Sequence, residues 1–465
     1  IGALPPAADA VTALAAQLLP LKSPTGPRPG PPQVVQIHDE CRKLSLDNRS
    51  RESVAWLAER KNLLSGFFSL ACVLAYLQHV HQSARRRLWY GASLFLFLAA
   101  LLSKPMAVPL PVVLLLLDWQ PLQRFTQRPA VQLLREKWPF FVLSVVCGVL
   151  TILGQLEWGA VKDMTSLGFF DRLLVAARGS VFYLWKFVWP TWLSPFYPLG
   201  LNTGLHNPEF LLASAIVVAI SVLSVALVKR LPLLLATWLM YLVLLAPTSG
   251  LVQTGGQGAA DRFAYLAVLV MATTLVGGGF SVARVSRPIV GVLLAAVFVV
   301  STLGFALRTQ LMIPVWRNEE TLWRHVLRFY PRVGIAHFHL AMALLEQHRF
   351  DEALPHARLA SELIPDNALA RSTTGLLLLK AGDFAGARHE LQAAVLLDPQ
   401  LWAARYNLAC AHVGLADYAS AIELLAVVVS NQPACRSFLR RDPALQPLRE
   451  HPAYRTRFEE LASAP

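Results

Sequence analysis

Charge is scarce in this chain: Asp, Glu, Lys and Arg together make up 15% of its 465 residues, against 55% hydrophobic residues. That balance excludes an ordinary water-soluble globular protein and reads as an integral membrane protein. Cysteine is rare too. Cys41, Cys72, Cys147, Cys410 and Cys435 are scattered with no C-x-x-C spacing, so neither a disulfide framework nor a metal site is expected. Acidic residues are outnumbered, 29 against 42 Lys and Arg, yet from Val315 onward each sign has 16. The net charge of +13 therefore lies in the apolar part, which points to membrane orientation and away from nucleic acid. No basic residue precedes the first apolar stretch, Ala3 to Leu19, and it is not expected to be a signal peptide.

What the chain does have is a succession of long apolar runs, at 62–80, 87–103, 105–122, 138–156, 209–228, 232–250, 263–283 and 288–308. Runs of this kind suit crossing roughly 30 Å of hydrocarbon, so about eight spans are predicted. The intervening loops alternate in basic content. Arg85, Arg86, Arg87, Arg124, Arg128, Arg135, Lys137, Lys229, Arg230, Arg284 and Arg287 all fall on one side, against Asp118 and Glu136. The positive-inside rule makes that side cytoplasmic and sends the end of the last span outward. The segment near 172–198, with Trp185, Trp189 and Trp192, begins and ends outside. It reads as an interfacial or re-entrant helix, with a pair of crossings as the alternative.

After Trp316 the pattern changes to a repeat. Phe350, Phe384 and Tyr418 are 34 residues apart, as are Ala341, Gly375 and Ala409, then Ala353, Ala387 and Ala421, then Pro365, Pro399 and Pro433. This is the tetratricopeptide period, and it predicts repeats at 334–367, 368–401 and 402–435 flanked by entry and capping helices. Small residues let paired helices approach closely, and each proline ends a second helix because it lacks an N–H. On the concave face the first helices offer Phe338, Met342, Arg371, Leu376, Arg405, Tyr406 and Asn407 as peptide-binding candidates, whose plainer reading is packing.

Several segments together resemble the transmembrane and tetratricopeptide repeat (TMTC) family and its bacterial relatives, GT-C-type membrane glycosyltransferases. They run from Glu52 to Ser65, from Leu102 to Val108, and over Leu117-Asp118-Trp119. Then come Tyr183 to Lys186 with Trp189-Pro190, Ser194 to Pro198, Gly250 to Gln253, Ala260 to Leu266, and Trp316-Arg317-Asn318 with Leu322-Trp323. The resemblance covers roughly residues 50 to 460. It implies an extracytoplasmic site that moves a sugar, typically mannose, from a polyprenyl phosphate to a protein Ser or Thr, with the repeats holding the acceptor. That chemistry needs a carboxylate base and cations on the departing phosphate.

Glu52, Glu59, Arg60, Lys61, Lys104, Asp261 and Arg262 fall on the outer side and are the candidates for binding the lipid-phosphate sugar. Arg60 and Lys61 also suit a role as interface anchors, and Asp261 with Arg262 suits a local ion pair. Lys104, between two apolar runs, calls for a partner or a function because an isolated ammonium is costly there. Members of the family carry a first span and an acidic catalytic loop ahead of the stretch matching Glu52. Here residues 1–49 are rich in Pro and Gly, as in Pro24, Pro27, Pro29, Pro31 and Pro32, and read as disordered. Relative to the family the chain reads as truncated at its N-terminus, the catalytic residues are unknown, and its own activity stays open.

The expected architecture is thus all-α: a GT-C-like polytopic bundle over 50–310 and a tetratricopeptide solenoid over 315–465. A bacterial inner-membrane protein with extracytoplasmic repeats is expected. Its partners would be membrane lipid, the polyprenyl-linked sugar as donor substrate with no bound cofactor or metal, and an acceptor protein, but no nucleic acid. The competing reading is a non-enzymatic membrane-anchored scaffold. Transport fits less well because the spans carry few polar groups at mid-depth.

Overall fold

The computed structural model describes residues 55–82, 84–157, 168–198, 207–249, 257–285 and 288–463. Glu52 and the Pro/Gly-rich 1–49 lie outside them, as do the side chains of Glu59 and Arg60. The described chain is all-α apart from one small two-stranded ladder. It divides into two compact units, Arg49–Leu401 and Trp402–Pro465.

The first unit opens with α1 (Ala55–His81), α2 (Arg86–Ser103), α3 (Leu110–Trp119) and α4 (Ala130–Glu157). It continues with α5 (Phe169–Val188), α6 (Pro208–Ala226), α7 (Pro232–Leu245), α8 (Tyr265–Val285) and α9 (Pro288–Met312). Each of the eight apolar runs contains a helix, but among the described residues five segments are both long and apolar enough to cross a membrane: Lys61–His81, Ala130–Gly154, Pro208–Ala226, Asp261–Ser281 and Ile289–Trp316. The run at 105–122 shortens because Pro105, Pro109 and Pro111 withhold N–H groups, so a 3-10 turn precedes α3. Conversely α4 starts at Ala130, a full two turns ahead of the expected Trp138, and passes through Pro139.

Around α7 the core closes on Tyr76, Phe97, Leu114, Phe140, Trp238, Tyr241 and Leu245. Tyr241 donates to the Ser180 carbonyl at 2.7 Å, fixing α7 against α5. Gly66 is required where α1 meets α8, since a Cβ there would come within 2.9 Å of the Tyr265 ring.

The helix pairs of the repeats start on the expected spacing: α11 (Gly334–Glu346) with α12 (Phe350–Leu363), then α13 (Ala368–Lys380) with α14 (Phe384–Leu397). Before them stands α10 (Glu319–Phe329), started by a capping box in which Asn318 and Thr321 satisfy each other's backbone N–H. At Gly375 an added Cβ would sit 2.4 Å from Leu391, which is why this α13 position, matched by alanine in the neighbouring repeats, is glycine. The turns within repeats reverse through a left-handed residue at His348, Gly382 and Ala416, again on the 34-residue period.

In the second unit α15 (Trp402–Gly414) pairs with α16 (Tyr418–Asn431), and α17 (Arg455–Ser463) closes the chain. Leu425, Val428, Leu445, Leu448 and Phe458 are buried there.

Candidate functional site

One end of the α1–α9 bundle collects the polar residues that the sequence singles out. The ladder forms because Tyr197–Pro198 (β1) pairs antiparallel with Gln257–Ala259 (β2), setting Tyr197 beside Ala259. Asp261 follows within two residues, and the Tyr197 hydroxyl donates to its Oδ2 at 3.1 Å. Beneath the ladder, the Tyr183 hydroxyl accepts the Ala260 N–H at 2.9 Å and donates to the Ala260 carbonyl at 3.1 Å. The ladder is thus pinned to α5 through Tyr183, and Tyr197 packs on Phe182 of the same helix with ring centroids 4.8 Å apart.

Cations lie against this loop. Lys186 lies over the rings of Phe182 and Tyr197, at 5.3 and 5.4 Å from their centroids, and donates to the Trp192 carbonyl at 3.0 Å. Burial holds its ammonium below the ordinary lysine range, with the Asp261 carboxylate opposing that shift. Burial and the Asp261 charge likewise keep the Tyr197 phenol protonated. Lys104 and Arg262 both approach the Phe263 ring, at 5.9 and 5.3 Å from its centroid. Cation–π contact of this kind draws a charged group against an apolar surface.

Lys61 opens the described side chains of α1 at the same end and is exposed. The link is Ser65, one turn on, whose hydroxyl bonds the carbonyls of Ala100 and Lys104 at 3.1 and 3.3 Å. The structure therefore gathers Lys61, Lys104, Asp261 and Arg262 at one end. It adds Tyr183, Lys186 and Tyr197, which sequence reasoning left as parts of motifs; the lysine between tryptophans ahead of Ser-Pro-Phe-Tyr-Pro was the available signal.

The entry helix of the repeats rests on this same loop. His325 Nε2 bonds the Leu193 carbonyl at 2.9 Å, Trp323 packs 6.2 Å from Phe196, and Tyr330 lies 6.4 Å from Tyr197. On its other face Trp323 stacks on His339, with centroids 4.6 Å apart and planes within 6°.

A histidine pair lies nearby. His337 Nε2 sits 2.9 Å from the Pro331 carbonyl, which can only accept, so His337 carries its proton there. Its Nδ1 faces His356 Nδ1 at 2.9 Å, so a single proton lies between the two rings. Burial pushes His339 down from 6.5 to about 4. His356 is lowered by burial and then by His337. Folded values below the unfolded one mean that these histidines stabilise the first repeat fully above pH 6.5, a contribution lost as pH falls toward 4. The thermal midpoint of the repeats should therefore drop on acidification through this window, and His339→Phe should flatten the drop. An unchanged midpoint would contradict the assignment.

The peptide candidates divide differently from expectation. Phe338, Leu376, Tyr406 and Asn407 are buried. Phe338 packs on Ala360 and Ala370, Leu376 joins the core with Leu340 and Leu344, and the Tyr406 hydroxyl binds Asp442. These four pack the helices instead of presenting themselves to a ligand, because a first helix wedged between neighbours has little free circumference. Met342 touches the Thr373 hydroxyl at 3.5 Å. Arg371 is half-buried, held by the Pro365 carbonyl at 2.7 Å and Glu390 at 3.1 Å, and Arg405 is also half-buried.

Among known families, residues 378–439 match the tetratricopeptide repeat model. No curated protein matches the chain. Similar solved structures include two crystal structures of MamA, 17% and 18% identical, each with a TM-score of 0.27 and 30% of this chain covered, over 84% and 80% of their own length. Yeast Tom70 is 14% identical with a TM-score of 0.26, covering 92% of this chain and 99% of its own. Likenesses this low carry no argument, and the assignment rests on the repeat match together with the 34-residue spacing. The chain contains tetratricopeptide repeats and, with them, a protein-interaction domain.

Proposed function

We propose that this is a membrane-embedded protein O-glycosyltransferase of GT-C type, in which the outer cation cluster receives a polyprenyl-phosphate sugar and the repeats hold the polypeptide acceptor. The observation that carries the reading is the seat of α10 on residues 193–197, the loop whose Tyr197 binds Asp261. A captured polypeptide and a lipid-borne phosphate then meet across one short loop. Transfer forms a bond from the acceptor hydroxyl oxygen to the sugar as the sugar–phosphate bond breaks, the hydroxyl proton passing to a carboxylate base and negative charge growing on the departing polyprenyl phosphate. Lys104, Lys186 and Arg262, each lying over an aromatic ring, suit that charge. The five long apolar segments support insertion in a bilayer; a crossing by each of the eight apolar runs puts the arginine-rich turns inside and the repeats outside.

The test is mannose transfer from a polyprenyl-phosphate donor to polypeptide by the full chain. Lys104→Ala and Arg262→Ala are each expected to lower kcat by about a hundredfold, the scale of losing one charge-stabilising donor. Unchanged transfer in both variants removes these cations from the site. The second reading, a membrane-anchored scaffold, is favoured by the engagement of Asp261 with Tyr197, since the chemistry also needs a free carboxylate base. Partner binding through the repeats with no transfer by the parent chain would select it.

A further inference from the structure

The opposite end of the bundle holds a network that the chemistry above does not use. Tyr76 of α1 donates to Asp118 Oδ1 at 2.6 Å, and Lys137 of α4 binds Asp118 as well, all three side chains being fully buried. Arg124, on the turn after α3, reaches Asp118 at 3.0 Å and grips Glu136 with both nitrogens, at 2.9 and 2.8 Å. Asp118 with Lys137 and Glu136 with Arg124 thus neutralise each other inside the fold.

Two further arginines remain. Arg86 at the start of α2 and Arg128 before α4 stand 3.6 and 3.7 Å from Glu136 Oε2, the oxygen that Arg124 already occupies at 2.8 Å. Those separations exceed a hydrogen bond, so the guanidinium groups are attracted without being neutralised. Their side chains are 39% and 37% exposed, which leaves donor edges open to solvent. Because both flank one oxygen, their facing nitrogens are at most about 7 Å apart, a gap that two oxygens of one phosphate bridge with charge-assisted bonds near 2.8 Å. Arg85, Arg87 and Arg135 are exposed on the same end of the helices, and among the described residues no further carboxylate pairs with Arg86 or Arg128. Trp89 and Trp138 follow Arg86 and Lys137 closely in sequence, and Trp138 is exposed, the placement of aromatic side chains at the headgroup level of a bilayer.

We infer that Arg86 and Arg128 form a binding site for a phosphate group, the headgroup of an anionic membrane lipid, at the arginine-rich end of the bundle. Glu136 orders the two side chains in advance, so binding costs little rotamer entropy.

The experiment uses the full chain in detergent, titrated with phosphatidylglycerol and followed by native mass spectrometry. A parallel arm records thermal shifts with inorganic phosphate. The parent should retain phosphatidylglycerol, and R86Q/R128Q should bind it at least tenfold more weakly. R86K/R128K, which keeps charge but loses the planar fork, should fall between. A phosphate-dependent thermal shift present in the parent and absent in R86Q/R128Q, with equal lipid retention, would support the phosphate site and reassign its source to a soluble anion. Equal lipid retention with no difference in phosphate response overturns the proposal. Single R86Q and R128Q variants, which leave the Arg124 bond to Glu136 in place, are read the same way should the double variant unfold.

Discussion

Asp118→Ala should lower the unfolding free energy by about 3–5 kcal/mol, because it strands the fully buried Lys137 ammonium without its closest counter-ion. The reason is an asymmetry of buried charge. A matched pair only partly recovers the cost of leaving water, whereas removing one member leaves that cost uncompensated in full. Glu136 at 3.0 Å softens the loss but already serves Arg124. Replacing both partners, as Asp118→Leu with Lys137→Met, should therefore cost much less than Asp118→Ala alone. Denaturant unfolding of the parent and these two variants in one detergent decides it: if the double replacement is as damaging as the single, Lys137 is not the stranded group.

Trp323→Ala should be the second large change, at about 2–4 kcal/mol for removing a large, partly buried indole. Its effect is expected to be local. Trp323 stands between Phe196 and His339, so its loss removes the aromatic bridge from α10 to the 193–197 loop and to α11 together. Proteolysis between Met312 and Glu319 should speed up while the α1–α9 bundle holds its own midpoint. Trp323→Phe, which keeps a ring for stacking, should recover more than half of the loss. A bundle that melts along with the repeats in Trp323→Ala would show that the seat of α10 is not a local joint.

The repeat register was legible because packing imposes a short period: a small residue must face Leu391 from position 375, and the chain must reverse at 348, 382 and 416. Loop charge likewise grouped Arg86, Arg124, Arg128 and Lys137, which the fold gathers around Glu136. Long-range pairing was hidden. Tyr76 meets Asp118 and Lys137 across 42 and 61 residues, so in the sequence Asp118 and Glu136 look like stray acids among basic loops. His325 and Leu193 meet across 132 residues, beyond any local pattern. The peptide-facing residues were misjudged because helical position alone does not say how much of a first helix its neighbours cover, and Phe338, Leu376, Tyr406 and Asn407 proved covered.

The placement of the repeats and the Lys104–Arg262 cluster on one face of the membrane is the claim on which the proposed function turns. Single cysteines at Lys61, Arg332 and Arg85, all exposed positions, are introduced into a chain with its five native cysteines replaced by serine, and intact cells are treated with a membrane-impermeant maleimide. Labelling of Lys61→Cys and Arg332→Cys, with Arg85→Cys protected until the cells are opened, is the expected result. Labelling of Arg85→Cys in intact cells while Arg332→Cys stays protected would contradict it.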